Sequence, residues 1–218
     1  MKVGVIVAVD QEYREMLKLL GGKPEGEFGK NTVILRQSGI GKVNAALRCQ
    51  DLIKEADPDC IISTGVAGGL GESLKPLDVV VSSEIVYHDV WCGEGNEYGQ
   101  VQGLPARFAA SRPLYDCAVG LGGDVHGGLI CTGDIFAGHE DMVRVKEKFP
   151  EGMAIDMESG ALAQTCYING KPFVSFRVIS DTLSGNDNWN EYDNFWKEVG
   201  DHSFRMIRDF LLSLPEKI

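Results

Sequence analysis

The sequence predicts an α/β protein: a single-domain, three-layer sandwich with a mixed central β-sheet flanked by helices. Three observations predict it. Lys2–Val9 is a continuous β-branched apolar run, the pattern of a strand covered on both sides, and Phe173–Ile179 reads as a second strand late in the chain. Helical segments separate these runs, which points to a sheet fed by crossover connections. The 218 residues, 44% hydrophobic and 24% charged, match ordinary globular usage and the length of one domain, expected to span residues 1–218.

The elements follow in order. The Lys2–Val9 strand leads into a helix over Gln11–Leu17, Thr32–Gln37 reads as a strand, and Val43–Ala56 reads as a helix with Ala45, Ala46, Leu52 and Ile53 inside. Cys60–Ser63, Asp78–Val81 and Leu129–Cys131 are expected strands. Asp141–Phe149 has amphipathic helical spacing, Gly160–Tyr167 is a helix of small residues, and one long helix is expected over Tyr192–Leu212. The stretch His88–Phe108 is long, glycine-rich and aromatic. It is either a binding loop or a loop that packs its aromatics on its own sheet.

Composition excludes several functions. Lys+Arg 21 against Asp+Glu 32 gives a net charge of −11, which repels a phosphate backbone, so no nucleic-acid partner is expected. No apolar stretch approaches the roughly 20 residues of a membrane span. The first residues read as a strand rather than a leader, so the chain is expected to begin at Met1 and to be cytoplasmic. The six cysteines lie far apart with no Cys-x-x-Cys spacing, and are read as reduced, mostly buried thiols.

Two glycine segments stand out, and the first invites a phosphate-loop reading. Around Gly39-Ile40-Gly41-Lys42, position 36 is Arg rather than Gly and position 43 is Val rather than Ser or Thr, so the phosphate-loop pattern fails. The dinucleotide fingerprint fails too, because Asn44 stands where a third glycine is needed. What remains is a tight turn feeding a helix N-terminus. Thr64–Leu70 is read as a second glycine loop, beyond the Cys60–Ser63 strand. Acids also follow apolar runs: Glu12, Asp134, Asp156, Glu158 and Asp181. Collected at one sheet edge they would perturb each other's protonation, which is more typical of a site than of a scaffold.

Seven motifs stand in one order: Ser38-Gly39-Ile40-Gly41-Lys42-Val43, Ser63–Gly69, Tyr87-His88-Asp89, Glu97-Tyr98-Gly99-Gln100, Thr132-Gly133-Asp134, Asp156-Met157-Glu158 and Arg177-Val178-Ile179-Ser180-Asp181. Together they resemble the methylthioadenosine/S-adenosylhomocysteine nucleosidases of the nucleoside phosphorylase superfamily, from Lys2 to the final helix. The resemblance implies a nucleoside phosphorylase-like fold, a homodimer, and hydrolysis of a 5′-substituted adenosine to adenine and a thioribose, with neither cofactor nor metal. By the same resemblance Asp181 would protonate N7 with Ser180 beside it, and Glu12 would be the base on the water. Glu158 and Met157 would hold the ribose, and Arg177 would orient the water or Glu12. Phe136 would stack on the base, while Val9, Ile40, Met157 and Tyr192 would line an apolar 5′ pocket. Ile135, Val66, Ala67, Gly68 and Asp156 complete the expected substrate contacts. His88 is read as ordering its loop.

Three departures stand out. Val66 occupies a position where many relatives carry Ser, Tyr192 one where Phe is common, and the loop after His88 is one residue shorter. They bear on substrate breadth, and Val66 and Tyr192 keep a nucleosidase for another purine, such as a futalosine-type compound, as an alternative; a nucleoside phosphorylase, a transferase on the same fold, is another. A nucleoside-binding protein without catalysis is disfavoured by retention of the three carboxyl groups.

Overall fold

The computed structural model of the protein describes residues 1–185, 187–198 and 202–218. In chain order these form β1 (Lys2–Val7), α1 (Asp10–Leu19), β2 (Glu25–Phe28), β3 (Asn31–Gln37), α2 (Lys42–Ala56), β4 (Cys60–Gly69), β5 (Val79–Tyr87) and β6 (Phe108–Ala109). There follow α3 (Arg112–Val119), β7 (Val125–Thr132), α4 (His139–Lys148), β8 (Gly152–Asp156), α5 (Ser159–Ile168), β9 (Phe173–Thr182), α6 (Asn188–Glu198) and α7 (His202–Ser213).

The apolar runs lie in the middle because neither face of these strands meets water. In β1, Val3, Val5 and Val7 pack with Met16 of α1, Leu114 of α3 and Phe210 of α7. The intervening Ile6 faces the other layer, with Ala45 and Leu52 of α2 and Leu162 of α5. Gly4 sits on that second face, where a Cβ would press on Ile61 and Leu52. The missing side chain lets α2 lie close on the sheet.

The sheet is mixed, as expected. Its order is β2-β3-β1-β4-β8-β7-β5-β6, and β9 pairs with both β4 and β5. Strands β4, β8, β7, β5 and β9 therefore close a ring, so the sheet curls on one side. β1 runs parallel to β3 and β4, and β4 runs parallel to β9. Their carboxyl ends collect at one rim, the usual ligand position in such folds.

One expectation needs correction. Thr64–Leu70 is not a loop: β4 continues to Gly69, held by β9 along its length and by β8 at Gly68 and Gly69. Its glycines admit neighbours rather than reverse the chain, as Gly68 does for Met142 and Ile155. The single helix expected over Tyr192–Leu212 is described as α6 and α7, and residues 199–201, through which it would have run, lie outside the described residues. No helix among the described residues is long and apolar enough to cross a membrane.

Candidate active site

Glu12 enters the rim from the first turn of α1. Its Oε2 accepts the backbone N–H groups of Ala8 at 2.8 Å and Val9 at 3.1 Å, so the carboxylate anchors the start of its own helix. Its Oε1 accepts the N–H of Val66 at 2.9 Å, which ties α1 to β4. Gly65, at φ 145°, makes this approach possible: a Cβ there would run into the Glu12 carboxylate and Nη1 of Arg177.

Arg177 projects from β9 and is fully buried. Its Nε lies 2.9 Å from Asp156 Oδ2 and its Nη2 lies 3.9 Å from Glu158 Oε2. Nη2 also donates to Ser63 at 2.8 Å and to Ser159 at 3.2 Å. Burial works against the Arg177 charge, but Asp156, Glu158 and Glu12 outweigh it and its pKa is raised. Asp156 accepts further bonds from Thr132 at 2.6 Å and from the N–H of Ser159 at 3.3 Å. A charged pair this deep persists because its remaining lone pairs and protons are also satisfied.

Glu158 stands at the junction of β8 and α5, and its Oε1 accepts the N–H of Gly41 at 2.9 Å. The turn before α2, with Gly39 at φ 85° and Gly41 at φ 91°, thus delivers backbone directly to a site carboxylate. Burial pushes Glu158 up to about 7 from the ordinary 4.5; Arg177 and the Gly41 bond pull it down, while Asp156 and Glu12 raise it. Because the folded value lies above the unfolded one, the associated stability is complete below about 4.5 and is lost as pH rises through about 7. Glu158→Gln removes this titration. Relative to wild type it should gain stability between pH 5 and pH 8, on the order of 3 kcal/mol at most. Thermal melts across that range check the prediction, and a difference that does not change with pH contradicts it.

Asp181 reaches the rim through a bulge. The β4–β9 register shifts between Ala67 and Gly68, which face Ile179 and Asp181, so Ser180 is the extra residue. The bulge brings both Ser180 and Asp181 onto the cavity, although strand alternation would separate them. Asp181 Oδ1 accepts from Ser180 Oγ at 2.6 Å and Oδ2 accepts from Asn188 Nδ2 at 2.8 Å. Burial nevertheless raises its pKa, Ser180 and Asn188 opposing and Glu191 adding to the rise.

These groups border one concave pocket at the rim of the sheet. Every residue that the resemblance assigned to catalysis or substrate contact lines it except Arg177, which lies behind the wall and is bonded to Asp156. Val9, Ile40, Ile135, Phe136 and Tyr192 supply apolar walls. Phe136 also stacks on Trp189 of α6, with ring centroids 4.0 Å apart and planes 17° apart. Tyr192 meets Phe136 edge-on at 5.4 Å. Four acids, Glu12, Asp156, Glu158 and Asp181, line the cavity, and no Lys, Arg or His among the described residues does.

Asp134 turns away from this cluster, accepting the N–H of Lys42 at 2.8 Å, and Lys42 itself pairs with Asp89. The loop after His88 packs its aromatics on one another and on the fold: Trp91 stacks on Tyr98, and Tyr98 lies against Phe149. The His88 ring is buried against Gly133, and burial lowers its pKa. Sequence reasoning missed Ala8, Ala137, Met142 and Ile155 in the lining, and Asn188 and Trp189 behind it. Only a polar-aromatic pair opening a helix after the Asp181 strand could have drawn attention to the last two.

Among the described residues, no group of His, Cys, Asp and Glu is arranged to hold a metal ion. Residues 2–212 match the family model described as the phosphorylase superfamily. The 5′-methylthioadenosine/S-adenosylhomocysteine nucleosidase of Chromohalobacter salexigens is 38% identical, over 94% of this chain and 94% of its own. That of Geobacillus kaustophilus is 36% identical, over 100% and 99%. The crystal structure of the Neisseria meningitidis nucleosidase in complex with methylthio-immucillin-A superposes with a TM-score of 0.87 at 37% identity, covering 98% of this chain and 99% of that one. A Streptococcus pneumoniae nucleosidase in complex with 8-aminoadenine gives a TM-score of 0.90 at 31% identity, covering 98% and 100%. With agreement of this extent over sequence and fold, the chain belongs to the phosphorylase superfamily and, within it, to the family of 5′-methylthioadenosine/S-adenosylhomocysteine nucleosidases.

Proposed function

We propose that the protein, working as a single domain over residues 1–218, hydrolyses the N-glycosidic bond of 5′-methylthioadenosine and S-adenosylhomocysteine, releasing adenine and the 5-thio-substituted ribose. One observation carries the choice of water over phosphate as nucleophile: four acids and no cation among the described residues border the cavity. Such a lining repels a phosphate dianion and can take a proton from water. The family's members from other organisms carry the same activity in their names.

The chemistry follows from the arrangement. As C1′–N9 stretches, positive charge develops on the ribose and negative charge on the purine. Asp181, whose pKa burial raises, gives its proton to N7, so adenine departs neutral. Glu12 takes a proton from the water whose oxygen bonds to C1′. Glu158 accepts a ribose hydroxyl, while Arg177 acts from behind by fixing Asp156 and the neighbouring carboxylates. Phe136 offers a ring face to the purine, and Val9, Ile40, Met157 and Tyr192 take the 5′ substituent.

The assembly we favour is a homodimer. Val43 and Leu47, one helical turn apart on α2, are 70% and 62% exposed, and Tyr167 and Ile168 at the end of α5 are also exposed. Apolar surface of this kind is usually covered by a partner; a scattering mass of one 23.8 kDa chain would count against it. A cytoplasmic setting is supported by the six unpaired cysteines, four of them buried, and recovery of the chain from an oxidising compartment would oppose it.

Free-base release from a nucleoside panel tests the function. 5′-Methylthioadenosine and S-adenosylhomocysteine should yield adenine faster than inosine or a futalosine-type nucleoside yields its base. Release only from the latter compounds would overturn the substrate assignment and point to Val66 and Tyr192 as the cause.

A further inference from the structure

Asn188 opens α6 and is buried, although nothing in the pattern of strands and acids marks it. Its side-chain nitrogen lies 2.8 Å from Asp181 Oδ2 and 3.2 Å from the carbonyl oxygen of Thr182, with the weaker acceptor Met142 Sδ at 3.6 Å, so the two amide hydrogens are met by the two oxygens first. That pair of acceptors also fixes the amide's orientation. A flipped amide would set its oxygen against two other oxygens. A second tie joins the same segments, since Glu191 accepts the N–H of Thr182 at 3.1 Å.

The other carboxyl oxygen has a different partner. Ser180 Oγ lies 2.6 Å from Asp181 Oδ1 and 3.3 Å from the carbonyl oxygen of Ala67. A hydroxyl can rotate between two acceptors, whereas a clamped amide cannot. When Asp181 is ionised, Ser180 donates to Oδ1. When Oδ1 carries a proton, the Ser180 hydroxyl turns to Ala67 and releases Oδ1–H toward the cavity. Oδ2 has no such freedom, because an N–H already points at it.

We propose that Asn188 is a positioning residue for Asp181: it fixes the plane of the carboxyl group and reserves Oδ2 as an acceptor, so that Oδ1 carries the proton delivered to the purine. This assignment rests on the reading of Asp181 as the general acid. It also couples the acid to the docking of α6, whose next residue, Trp189, supports Phe136 from behind. The ionisable groups facing Asp181 are Glu191 and Tyr192 on α6 and, across the cavity, Glu12 on α1 and Glu158 before α5. Ala67 and Gly68 of β4 and Met142 of α4, which also pack there, carry no charge.

The test compares the full-length chain with Asn188→Leu and the isosteric Asn188→Asp, the latter keeping the shape if the former fails to fold. Substrates are 5′-methylthioadenosine and a 5-methylthioribosyl nitrophenolate, whose leaving group needs no proton. Loss of a donor to the ionised carboxylate should move the alkaline limb of kcat/KM for 5′-methylthioadenosine upward by about one pH unit. In Asn188→Asp the added charge should move it at least as far. Activity on 5′-methylthioadenosine should fall on the order of tenfold to a hundredfold, with a much smaller loss on the nitrophenolate. An alkaline limb unmoved in both variants, or equal losses on the two substrates, overturns the assignment. A wild-type chain that releases no base overturns the functional reading and this assignment with it.

Discussion

Asp181→Asn is expected to lower turnover of 5′-methylthioadenosine on the order of 10² to 10⁴, the range for a removed general acid. The amide keeps the side chain's size and can still accept from Asn188, but it has no acidic proton for N7. The same variant should lose far less on a ribosyl nitrophenolate, which leaves as a stable anion. In wild type burial raises the Asp181 pKa, which favours the protonated form. Activity on the nucleoside should therefore fall as pH rises through that lifted value. Equal losses on both substrates would make Asp181 an organiser of the site rather than its acid.

Glu12→Gln should have a comparable effect for a different reason. Both oxygens of Glu12 receive backbone N–H groups, two on Oε2 and one on Oε1. Glutamine can satisfy only one side, because its amide nitrogen must face a donor on the other. A stability loss of about 1–3 kcal/mol is expected from that mismatch. The catalytic loss should be much larger, on the order of 10² to 10⁴, since an amide takes no proton from water. Calorimetry should show nucleoside binding retained while turnover is lost. Turnover near wild type would return Glu12 to the role of a helix-start acid.

The contrast between these two acids shows what sequence can reveal. Glu12 follows an apolar strand and opens a helix, so both its place and its helix were legible. Asp181 was legible as the end of a strand, but the bulge at Ser180 that turns it into the cavity was not, because a register shift arises from pairing with β4. Likewise Thr64–Gly69 looked like a turn because it holds three glycines. Only its position between β9 and β8 makes it a strand. β2 escaped notice because Glu25-Gly26-Glu27-Phe28 is charged and nearly all exposed, as an edge strand can be. β8 was hidden by its brevity, five residues ending in the motif already assigned to the site.

The partners of the site residues were the least legible part. Arg177 was expected to orient the water or Glu12; its contacts run to Asp156, Ser63 and Ser159, the last two 114 and 18 positions away in the chain. No local pattern encodes such pairings. Asn188 and Trp189 are in the same position: each acts on a residue brought near by the docking of α6 on β9 and the Asp134–Ala137 segment. The apolar runs and the motifs were readable because each is carried by a few adjacent residues.

The central claim is that water, not phosphate, attacks C1′ in a cavity lined by acids. Adenine release from 5′-methylthioadenosine, followed in matched buffers with and without phosphate, tests it most directly. The account predicts equal rates in the two buffers and free 5-methylthioribose as the sugar product in both. Release that requires phosphate, with a ribose 1-phosphate as product, would contradict it.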